Sequence, residues 1–472
     1  MVSRRTRLDA DGELAESLAQ LRADLQLPTD FPPEALAEAE TVAKGDAVDG
    51  SDGDRTDLRE IEFLTIDPEG SRDLDQAMSI VRDGDGFIVR YAIADLPAFI
   101  RPGGAIDAET WKRGQTLYPP DGTIPLHPEV LSTDAASLLP DEDRRAYVWH
   151  IELNAQGARR EQAEPLLRRT WVRSRRQWAY AEAQQAVDDG SAPETLTLLA
   201  TVGPLLIAQE AARGGASLNS PEEEVTATDG GYRLTKRVVP PLEDWNAQIS
   251  LLAGMTAAGI MLEQHRGILR TMPPADDEAL AEFRQKVKVL GRPWSDDIDY
   301  GEYLRRLDPA DPVTAAVTQA AASLFRGADY VEFLDASQVP THDEQSAIAA
   351  PYAHTTAPLR RLVDRFVLQA CLGDVDEDAL TRLPEVMRAS GSIASRLESG
   401  AIDRVEAAVL RSRIGQTFDA VVLSSSKDQA KVQIADPFVT ANVPSAAEPG
   451  STIHVRVDST DITKGTLSLS VV

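Results

Sequence analysis

An apolar strand that ends in a group of carboxylates constrains the fold of this chain more than any other segment. Residues 63–66 (Phe-Leu-Thr-Ile) form an apolar run typical of a β-strand, and Asp67 follows directly. Pro-Glu-Gly at 68–70 is typical of a turn, after which Asp73 and Asp75 stand two residues apart. If this second segment is extended, both of its carboxylates point to the same side of the chain.

Three carboxylates held close together repel one another unless a cation lies among them. Oxygen ligands favour a hard ion, Mg²⁺ or Mn²⁺, and such ions work naturally with phosphates. The segment therefore predicts a magnesium-dependent phosphodiester chemistry with Asp67, Asp73 and Asp75 as ligands. An acidic surface loop is the equally weighted alternative, because 76 of the 472 residues are Asp or Glu and clusters arise by chance.

The length and the apolar content predict a globular protein with several domains. A chain of 472 residues is too long for one compact core, so about two to four domains are expected. No run of about 18 uninterrupted apolar residues occurs, which predicts no membrane span. A hydrophilic segment follows the basic N-terminus, which argues against a secretory signal. The single cysteine, Cys371, has apolar neighbours and is expected in the core, and a cytoplasmic location is predicted.

The net charge of −28 argues against nucleic-acid binding unless the basic residues cluster, because phosphate backbones attract Lys and Arg. One such cluster occurs at 168–180, where arginines alternate with Trp and Tyr. Cations interleaved with aromatic side chains are typical of a path for single-stranded nucleic acid. Arg173, Arg175 and Arg176 are therefore candidates for binding single-stranded nucleic acid, and a structural strand-to-helix edge is the equally weighted alternative.

The first 57 residues are predicted to be a short helical segment with a linker. Leucines at helical spacing predict an amphipathic helix over 9–26. A second helix is predicted from Pro33 to about Val42, in a helix-turn-helix-like arrangement. A polar, Gly-rich and acidic linker then extends to about residue 57.

The remaining pattern predicts an α+β protein. Strands dominate 58–150, and long helices are predicted at about 243–266 and 380–414. From Gly415 onward, four short alternating runs separated by turns predict a small β-barrel of the OB type.

Several segments, in the family's own order, resemble signature motifs of the ribonuclease II / ribonuclease R family, whose catalytic domain is the RNB domain. The first is residues 65–77 (TIDPEGSRDLDQA), which contains the three aspartates. The others are residues 91–95 (YAIAD), 113–128 (RGQTLYPPDGTIPLHP), 137–140 (SLLP) and 352–361 (YAHTTAPLRR). A single motif of this kind would be weak, but their shared order makes the resemblance specific.

This resemblance implies a fold and an activity. It implies an RNB catalytic domain over 58–414, with mixed sheets and long helices around an RNA channel, and an S1-like OB domain over 415–472. Members of the family are processive 3′→5′ exoribonucleases that use Mg²⁺ and release nucleoside 5′-monophosphates. The implied partner is single-stranded RNA, including RNA with 3′ overhangs, and no obligatory protein partner is expected.

The resemblance also implies roles for individual residues. Asp75 matches the carboxylate most critical for the chemistry, and Asp67 and Asp73 match other acidic site positions. Arg360 matches the arginine that contacts the scissile phosphate, a role that suits a guanidinium fork. Two further RNA contacts are implied at Tyr118, as the aromatic that stacks on the terminal base, and at Glu398, near the catalytic centre.

Neighbouring charged residues within the same motifs are given structural interpretations. Arg361 and Arg365 are expected to be helix-surface charges or ion-pair partners. Asp95 is expected to cap the end of its strand. Tyr118 has a structural alternative too, as a residue that packs its loop.

The chain departs from the family pattern at several positions. Gln76 stands where the family has a fourth acidic residue, and its carbonyl oxygen offers a weaker metal ligand. Ala357 and Leu362 replace a Ser and a Tyr of the family motif. An active enzyme with a greater Mg²⁺ requirement is favoured, and a catalytically weak or inactive RNB-fold RNA-binding protein is the alternative.

A second departure concerns the N-terminal end. The family usually carries two cold-shock OB domains before the RNB domain, and residues 1–57 leave no room for them. A more open channel entrance, with a different tolerance of structured RNA, is therefore expected.

Overall fold

A computed structural model of the chain describes residues 12–160, 163–216, 222–228, 231–237, 239–308 and 312–472. The helices are α1 Glu13–Asp24, α2 Pro33–Val42, α3 Ala105–Arg113, α4 Tyr180–Asp189, α5 Glu194–Arg213, α6 Pro241–Gln264, α7 Asp277–Val289, α8 Tyr300–Arg305, α9 Pro312–Ala321, α10 Leu362–Cys371 and α11 Glu377–Arg411. The strands are β1 Thr56–Asp57, β2 Phe63–Asp67, β3 Gln76–Asp83, β4 Gly86–Ala94, β5 Asp143–Leu153, β6 Leu166–Ala179, β7 Glu222–Thr228, β8 Gly231–Arg237, β9 Gly267–Thr271, β10 Asp329–Phe333, β11 Glu344–Gln345, β12 Ala350–Pro351, β13 Thr417–Ser426, β14 Gln429–Ala435, β15 Phe438–Pro444, β16 Thr452–Asp461 and β17 Thr466–Val471.

A six-stranded sheet forms the centre of the first part of the chain. Its order is β1-β6-β2-β3-β4-β5, and β5 pairs with β6 as well. The long strand β6 pairs with β5 over its first half and runs parallel to β2 over its second half, so the sheet closes on itself. Strands β2, β3 and β4 place the residues around Asp67 and Asp75 at one end of this sheet.

Long helices cover the sheet, as their apolar sequences require. Helix α5 packs on α6 and on β3, and α6 also contacts α10. By length and composition alone, α5 is long and apolar enough to cross a bilayer. Its packing against α6 and β3 accounts for this apolar character, because such contacts are those of a core helix. Cys371, at the end of α10, is buried as predicted.

The C-terminal sheet is the predicted OB-type barrel. Its order is β15-β14-β13-β16-β17, with every pair antiparallel. The four predicted runs lie in β13, β14, β16 and β17. The fifth strand, β15, was missed because its Thr-Ala-Asn centre is polar and small, although Val439 and Val443 are buried.

The two N-terminal helices are confirmed, and each docks on a different part of the fold. Leu14, Leu18 and Leu21 of α1 belong to the hydrophobic cluster that joins α11 to the C-terminal barrel. The Ser17 hydroxyl donates a hydrogen bond of 2.8 Å to the backbone carbonyl of Ile462 in that barrel. Helix α2 packs on α3 instead. The residues before Gly12 lie outside the described part of the chain.

Candidate active site

The aspartates predicted from the sequence lie at the ends of β2 and β3. Asp67 is the last residue of β2, and Asp73 and Asp75 lie in the irregular segment that leads into β3. Between them, Leu74 is fully buried in an apolar cluster. The segment is irregular up to the start of β3 at Gln76, so the common direction of the two carboxylates, expected if the segment is extended, stays a prediction.

Ser137 holds this segment in place. Its hydroxyl donates to the carbonyl of Arg72 at 2.6 Å and accepts from the amide of Leu74 at 3.0 Å. Both groups belong to the backbone that carries Asp73 and Asp75. Ser137 is fully buried, so neither bond competes with bulk water.

Asp75 is a buried carboxylate with incomplete compensation. It is 4% exposed, and its Oδ1 accepts a hydrogen bond of 2.7 Å from the amide of Leu359. Its Oδ2 lies 3.9 Å from Nε of Arg360, the outer limit of an ion pair. Burial raises the pKa of Asp75 well above its usual range; Arg360 and the Leu359 amide oppose this shift, and Asp73 adds to it. The charged form is therefore costly unless a further cation approaches.

Two buried tyrosines share the environment of Asp67. Burial is the main cause of the raised pKa of Tyr91 and of Tyr180, and the charge of Asp67 adds to the rise in both. The Tyr91 hydroxyl lies 2.8 Å from that of Ser250, and Asn246 donates to the Tyr180 hydroxyl at 3.3 Å. The charge of Asp75 also adds to the raised pKa of Tyr91, so both carboxylates lie within electrostatic range of this tyrosine. Both tyrosines lie in segments that the sequence analysis singled out, at 91–95 and 168–180, but neither was named as a site residue.

The loop that carries Arg360 is held from two sides. The amide of Ala357 donates to Oδ1 of Asp364 at 2.7 Å, and the amide of Thr116 donates to the carbonyl of Arg360 at 2.9 Å. Nδ1 of His127 lies 3.0 Å from the carbonyl of Leu359. Both backbone groups of Leu359 are thus hydrogen-bonded, the N–H to Asp75 and the C=O to His127. Burial lowers the pKa of His127 to about 3, so this imidazole is neutral.

Gln76 ties β3 to the same loop. Its side-chain amide nitrogen donates a short hydrogen bond to the backbone carbonyl of Thr356. An acidic side chain at this position would place a carboxylate oxygen against that carbonyl without a donor between them. The sequence predicted Gln76 as a metal ligand; the structure gives its amide group a contact with the loop, and its carbonyl oxygen remains available as an acceptor.

The other charged residues of these motifs have structural partners, as expected. Arg361 forms a two-point ion pair with Asp364, at 2.8 and 2.9 Å. Arg365 pairs with Asp107 at 2.5 Å. Arg360 is therefore the arginine of this loop whose head group is left for the site, with a third of its side chain exposed.

The donor set suits a hard divalent cation. Asp67, Asp73 and Asp75 offer carboxylate oxygens, and a cation would relieve the buried charge of Asp75. Among the described residues, no three His, Cys, Asp or Glu side chains form a ready-made cage. Mg²⁺ commonly binds through one or two carboxylates together with water and substrate phosphates, so the residues present fit this ion without a complete protein cage.

Tyr118 and Glu398, the two further predicted RNA contacts, belong to neighbouring elements. Tyr118 is half-buried in a loop closed by backbone bonds between Leu117 and Ile124. These two residues share a hydrophobic cluster with Leu397 of α11, whose neighbour Glu398 is exposed. Both residues thus flank members of this one cluster, and their roles toward RNA stay predictions.

The basic cluster of β6 forms ion pairs and other contacts within the protein. Arg173 pairs with Asp143 at 2.6 Å. Arg175 donates to the backbone carbonyl of Arg59 at 2.6 Å. Arg176 pairs with Glu182 and stacks on the ring of Trp178, which lies two residues later on the same face of β6. These contacts are those of the strand-to-helix edge named as the alternative, and RNA binding by the three arginines stays a prediction.

Some residues that shape the site were not singled out as site residues from the sequence. Ser137 and His127 lay inside quoted motifs, but their roles depend on backbone groups of Arg72, Leu74 and Leu359 that only the fold brings to them. Spacing along the chain carries no signal for such contacts.

Comparisons with known proteins agree with this geometry. The profile described as "RNB domain" matches residues 55–372, and the one described as "RNase II-type exonuclease C-terminal S1 domain" matches residues 416–472. Ribonuclease R of Aquifex aeolicus is 26% identical over 430 residues, which cover 84% of this chain and 58% of that protein. The chain thus spans little more than half the length of this curated relative.

Solved structures show the same fold at low sequence identity. RNase R of Mycoplasma genitalium, in complex with ribose-methylated single-stranded RNA, has a TM-score of 0.86 and 17% identity, covering 98% of this chain and 78% of that one. Yeast Ssd1, described as a pseudonuclease, has a TM-score of 0.72 and 15% identity, covering 91% of this chain and 55% of that one. Since the RNB profile alone spans about two thirds of the residues, the chain belongs to the RNB family.

Proposed function

We propose that this chain is a divalent-metal-dependent 3′→5′ exoribonuclease that degrades single-stranded RNA processively to nucleoside 5′-monophosphates. The observation that carries the proposal is the buried, incompletely compensated Asp75 beside Arg360, within a member of the RNB family. A strongly perturbed carboxylate next to a partly exposed arginine is typical of a catalytic site on a phosphate.

In this proposal the protein's own residues bind and orient the scissile phosphate. Arg360 contacts a phosphate oxygen with its guanidinium fork, and its loop keeps that fork beside Asp75. Asp67, Asp73 and Asp75 hold the cation. Tyr118 stacks on the terminal base, an interaction that tolerates any sequence.

The cation, Mg²⁺ or Mn²⁺, supplies neutralisation of the charge that develops on the attacking and leaving oxygens. The carboxylates must be ionised to hold it. Because burial opposes ionisation of Asp75, cation binding and the charged form of Asp75 favour each other. This coupling supports a higher Mg²⁺ requirement for this chain than for a site with a fourth acidic residue at position 76.

The test is the digestion of single-stranded RNA and DNA labelled at the 5′ end, by wild type and Asp75→Asn, with and without Mg²⁺. A ladder that shortens from the 3′ end, seen with RNA and Mg²⁺ and lost in the variant, is the expected result. We expect the variant to lose at least about 10³-fold in rate, roughly 4 kcal/mol of transition-state stabilisation. Internal cleavage, or equal rates for wild type and variant, would overturn the proposal.

A second candidate is a catalytically weak or inactive RNB-fold protein that binds RNA. The amide of Gln76 where an acid is expected, and the lack of a ready-made cage among the described residues, favour it. It predicts tight retention of labelled RNA in Mg²⁺ without shortening, at any cation concentration. Shortening that rises with the Mg²⁺ concentration would exclude it.

A further inference from the structure

Arg270 lies on a strand pair that borders the catalytic loop. It faces Tyr330 across the β9–β10 ladder. Its backbone amide donates a hydrogen bond of 2.8 Å to the carbonyl of Tyr352, at the start of the segment that ends with Arg360. The guanidinium carbon lies 4.6 Å from the centre of the Tyr330 ring. Arg270 is thus fixed by its strand and by an aromatic ring beneath it.

Arg270 differs from comparable arginines in forming no close ion pair with a carboxylate among the described residues; Asp329, whose charge acts on it at longer range, is itself paired with Arg388 at 2.7 Å. Arg284 also stacks on an aromatic ring, at 3.8 Å from Trp294, but it pairs with Asp296 at 2.5 Å. Arg361, beside Arg270, is compensated by Asp364. Half-buried and held on Tyr330, the head group of Arg270 keeps its capacity to bind an anion.

The buried ring of His354 lies within electrostatic range of three arginines. Burial lowers its pKa well below the usual range, and the charges of Arg361, Arg270 and Arg360 lower it further. Its Nδ1 lies 2.7 Å from the Tyr330 hydroxyl, so a neutral ring fixes the tyrosine under Arg270. Arg270 and Arg360 also oppose the rise that burial causes in the pKa of Tyr352, while the charge of Asp364 adds to it, so both arginines bring positive charge to the segment that carries the catalytic loop.

We propose that Arg270, seated on Tyr330, binds a backbone phosphate of the RNA strand other than the scissile phosphate that Arg360 contacts. The proposal rests on the proposed function, because it assigns a second phosphate subsite to the same bound strand. A planar fork supported by a ring suits two-point contact with phosphate oxygens and imposes no base preference.

The test is the affinity for a fluorescein-labelled oligoadenylate in EDTA, measured by anisotropy over a range of KCl concentrations. EDTA prevents digestion, so binding is read alone. We expect Arg270→Ala to raise the Kd about tenfold, as for the loss of one charge-assisted contact, and to reduce the salt slope by about 0.7. Arg284→Ala, the matched control on Trp294, is expected to leave both values unchanged.

Arg270→Lys separates charge from shape and guards against misfolding of the alanine variant. It is expected to keep the salt slope and to lose a smaller part of the affinity, since a lysine neutralises one phosphate without a fork. Wild-type Kd and slope in both Arg270 variants would overturn the subsite and leave the exoribonuclease proposal standing. Failure of the wild type to bind the RNA would overturn the proposed function itself.

Discussion

Two buried aspartates in neighbouring motifs, Asp95 and Asp75, have opposite surroundings. Asp95 is fully buried and accepts two-point hydrogen bonds from Arg169, at 2.9 and 3.1 Å. Nη1 of Arg55 lies 2.8 Å from Oδ2 of Asp95, and Oδ1 accepts a hydrogen bond from the amide of Ala98 in the turn that follows. Asp75 is almost as buried, but its nearest cation is 3.9 Å away.

The difference separates a structural carboxylate from a functional one. Charges that only hold a fold together are paired closely, because a buried charge that has lost its partner costs about 3–5 kcal/mol. Asp75 keeps the burial and lacks the close pair. Its charge is balanced only when a further cation binds beside it, whereas a structural carboxylate is already balanced by its ion pair.

The largest expected effect is on stability. Asp95→Asn leaves Arg55 and Arg169 without their shared partner and is expected to lower the free energy of unfolding by about 3–5 kcal/mol. Asp75→Asn is expected to raise it in metal-free buffer, because the amide keeps the acceptor for Leu359 and removes the buried charge. Urea denaturation monitored by circular dichroism measures both. Equal destabilisation by the two substitutions would refute the distinction.

A smaller effect is expected at the Gln76 contact. Gln76→Glu removes the donor to the Thr356 carbonyl and should cost about 1–3 kcal/mol of stability and slow RNA shortening. Gln264→Glu is the matched control, since Gln264 also donates to a backbone carbonyl, that of Cys371, outside the site. It should lower the Tm without a specific loss of rate. A Gln76→Glu enzyme that works faster at low Mg²⁺ would instead make position 76 a metal ligand.

A substitution at Ser137 tests whether the segment that carries Asp73 and Asp75 needs the two hydrogen bonds of the Ser137 hydroxyl. Ser137→Ala removes two buried hydrogen bonds and is expected to cost about 1–2 kcal/mol of stability. Because both bonds hold the backbone around Asp73 and Asp75, the Mg²⁺ concentration for half-maximal rate should rise as well. Ser390→Ala is the control, because Ser390 is a buried serine whose hydroxyl donates to the carbonyl of Met387 in its own helix. An unchanged Mg²⁺ requirement in Ser137→Ala would limit Ser137 to stability.

The smallest expected effect is a pH dependence of the difference in unfolding free energy between Asp75→Asn and the wild type. Because the folded pKa of Asp75 is raised above its unfolded value, the folded state takes up the proton first as the pH falls. The stability advantage of Asp75→Asn should therefore be greatest at neutral pH and shrink as the pH drops through the raised pKa toward about 4. His127 is destabilising below about pH 6.5 in both proteins, so its contribution cancels in the difference. Denaturation at several pH values gives this difference, and a constant offset would contradict the origin assigned to it.

Much of the fold was predictable because it depends on local pattern. The apolar run before Asp67, the helices at Pro33 and at 243–266, and four of the barrel strands are visible as periodicity or composition. The missed strand β15 has small polar residues at its centre, so its burial comes from neighbouring strands and not from its own pattern.

The site was predictable as a set of residues and not as a set of contacts. Asp75 and Arg360 are far apart in sequence, and only the motif resemblance joined them before the fold did so. The partners of Gln76, Ser137 and His127 are backbone groups, which no residue pattern identifies. The arginines of β6 illustrate the opposite case. Their composition is typical of an RNA-binding segment, but the fold brings carboxylates from other parts of the chain, such as Asp143, into ion pairs with them.

The docking of α1 bears on the order in which the protein is completed during synthesis. Helix α1 is made before α11 and the barrel, yet its leucines pack on both, and Ser17 bonds to Ile462, some 445 residues later. The six-stranded sheet is complete once residue 179 has emerged from the ribosome. We therefore expect the RNB sheet to form while the apolar face of α1 still awaits its partners, which leaves α1 as a surface for chaperones until the last strands are made.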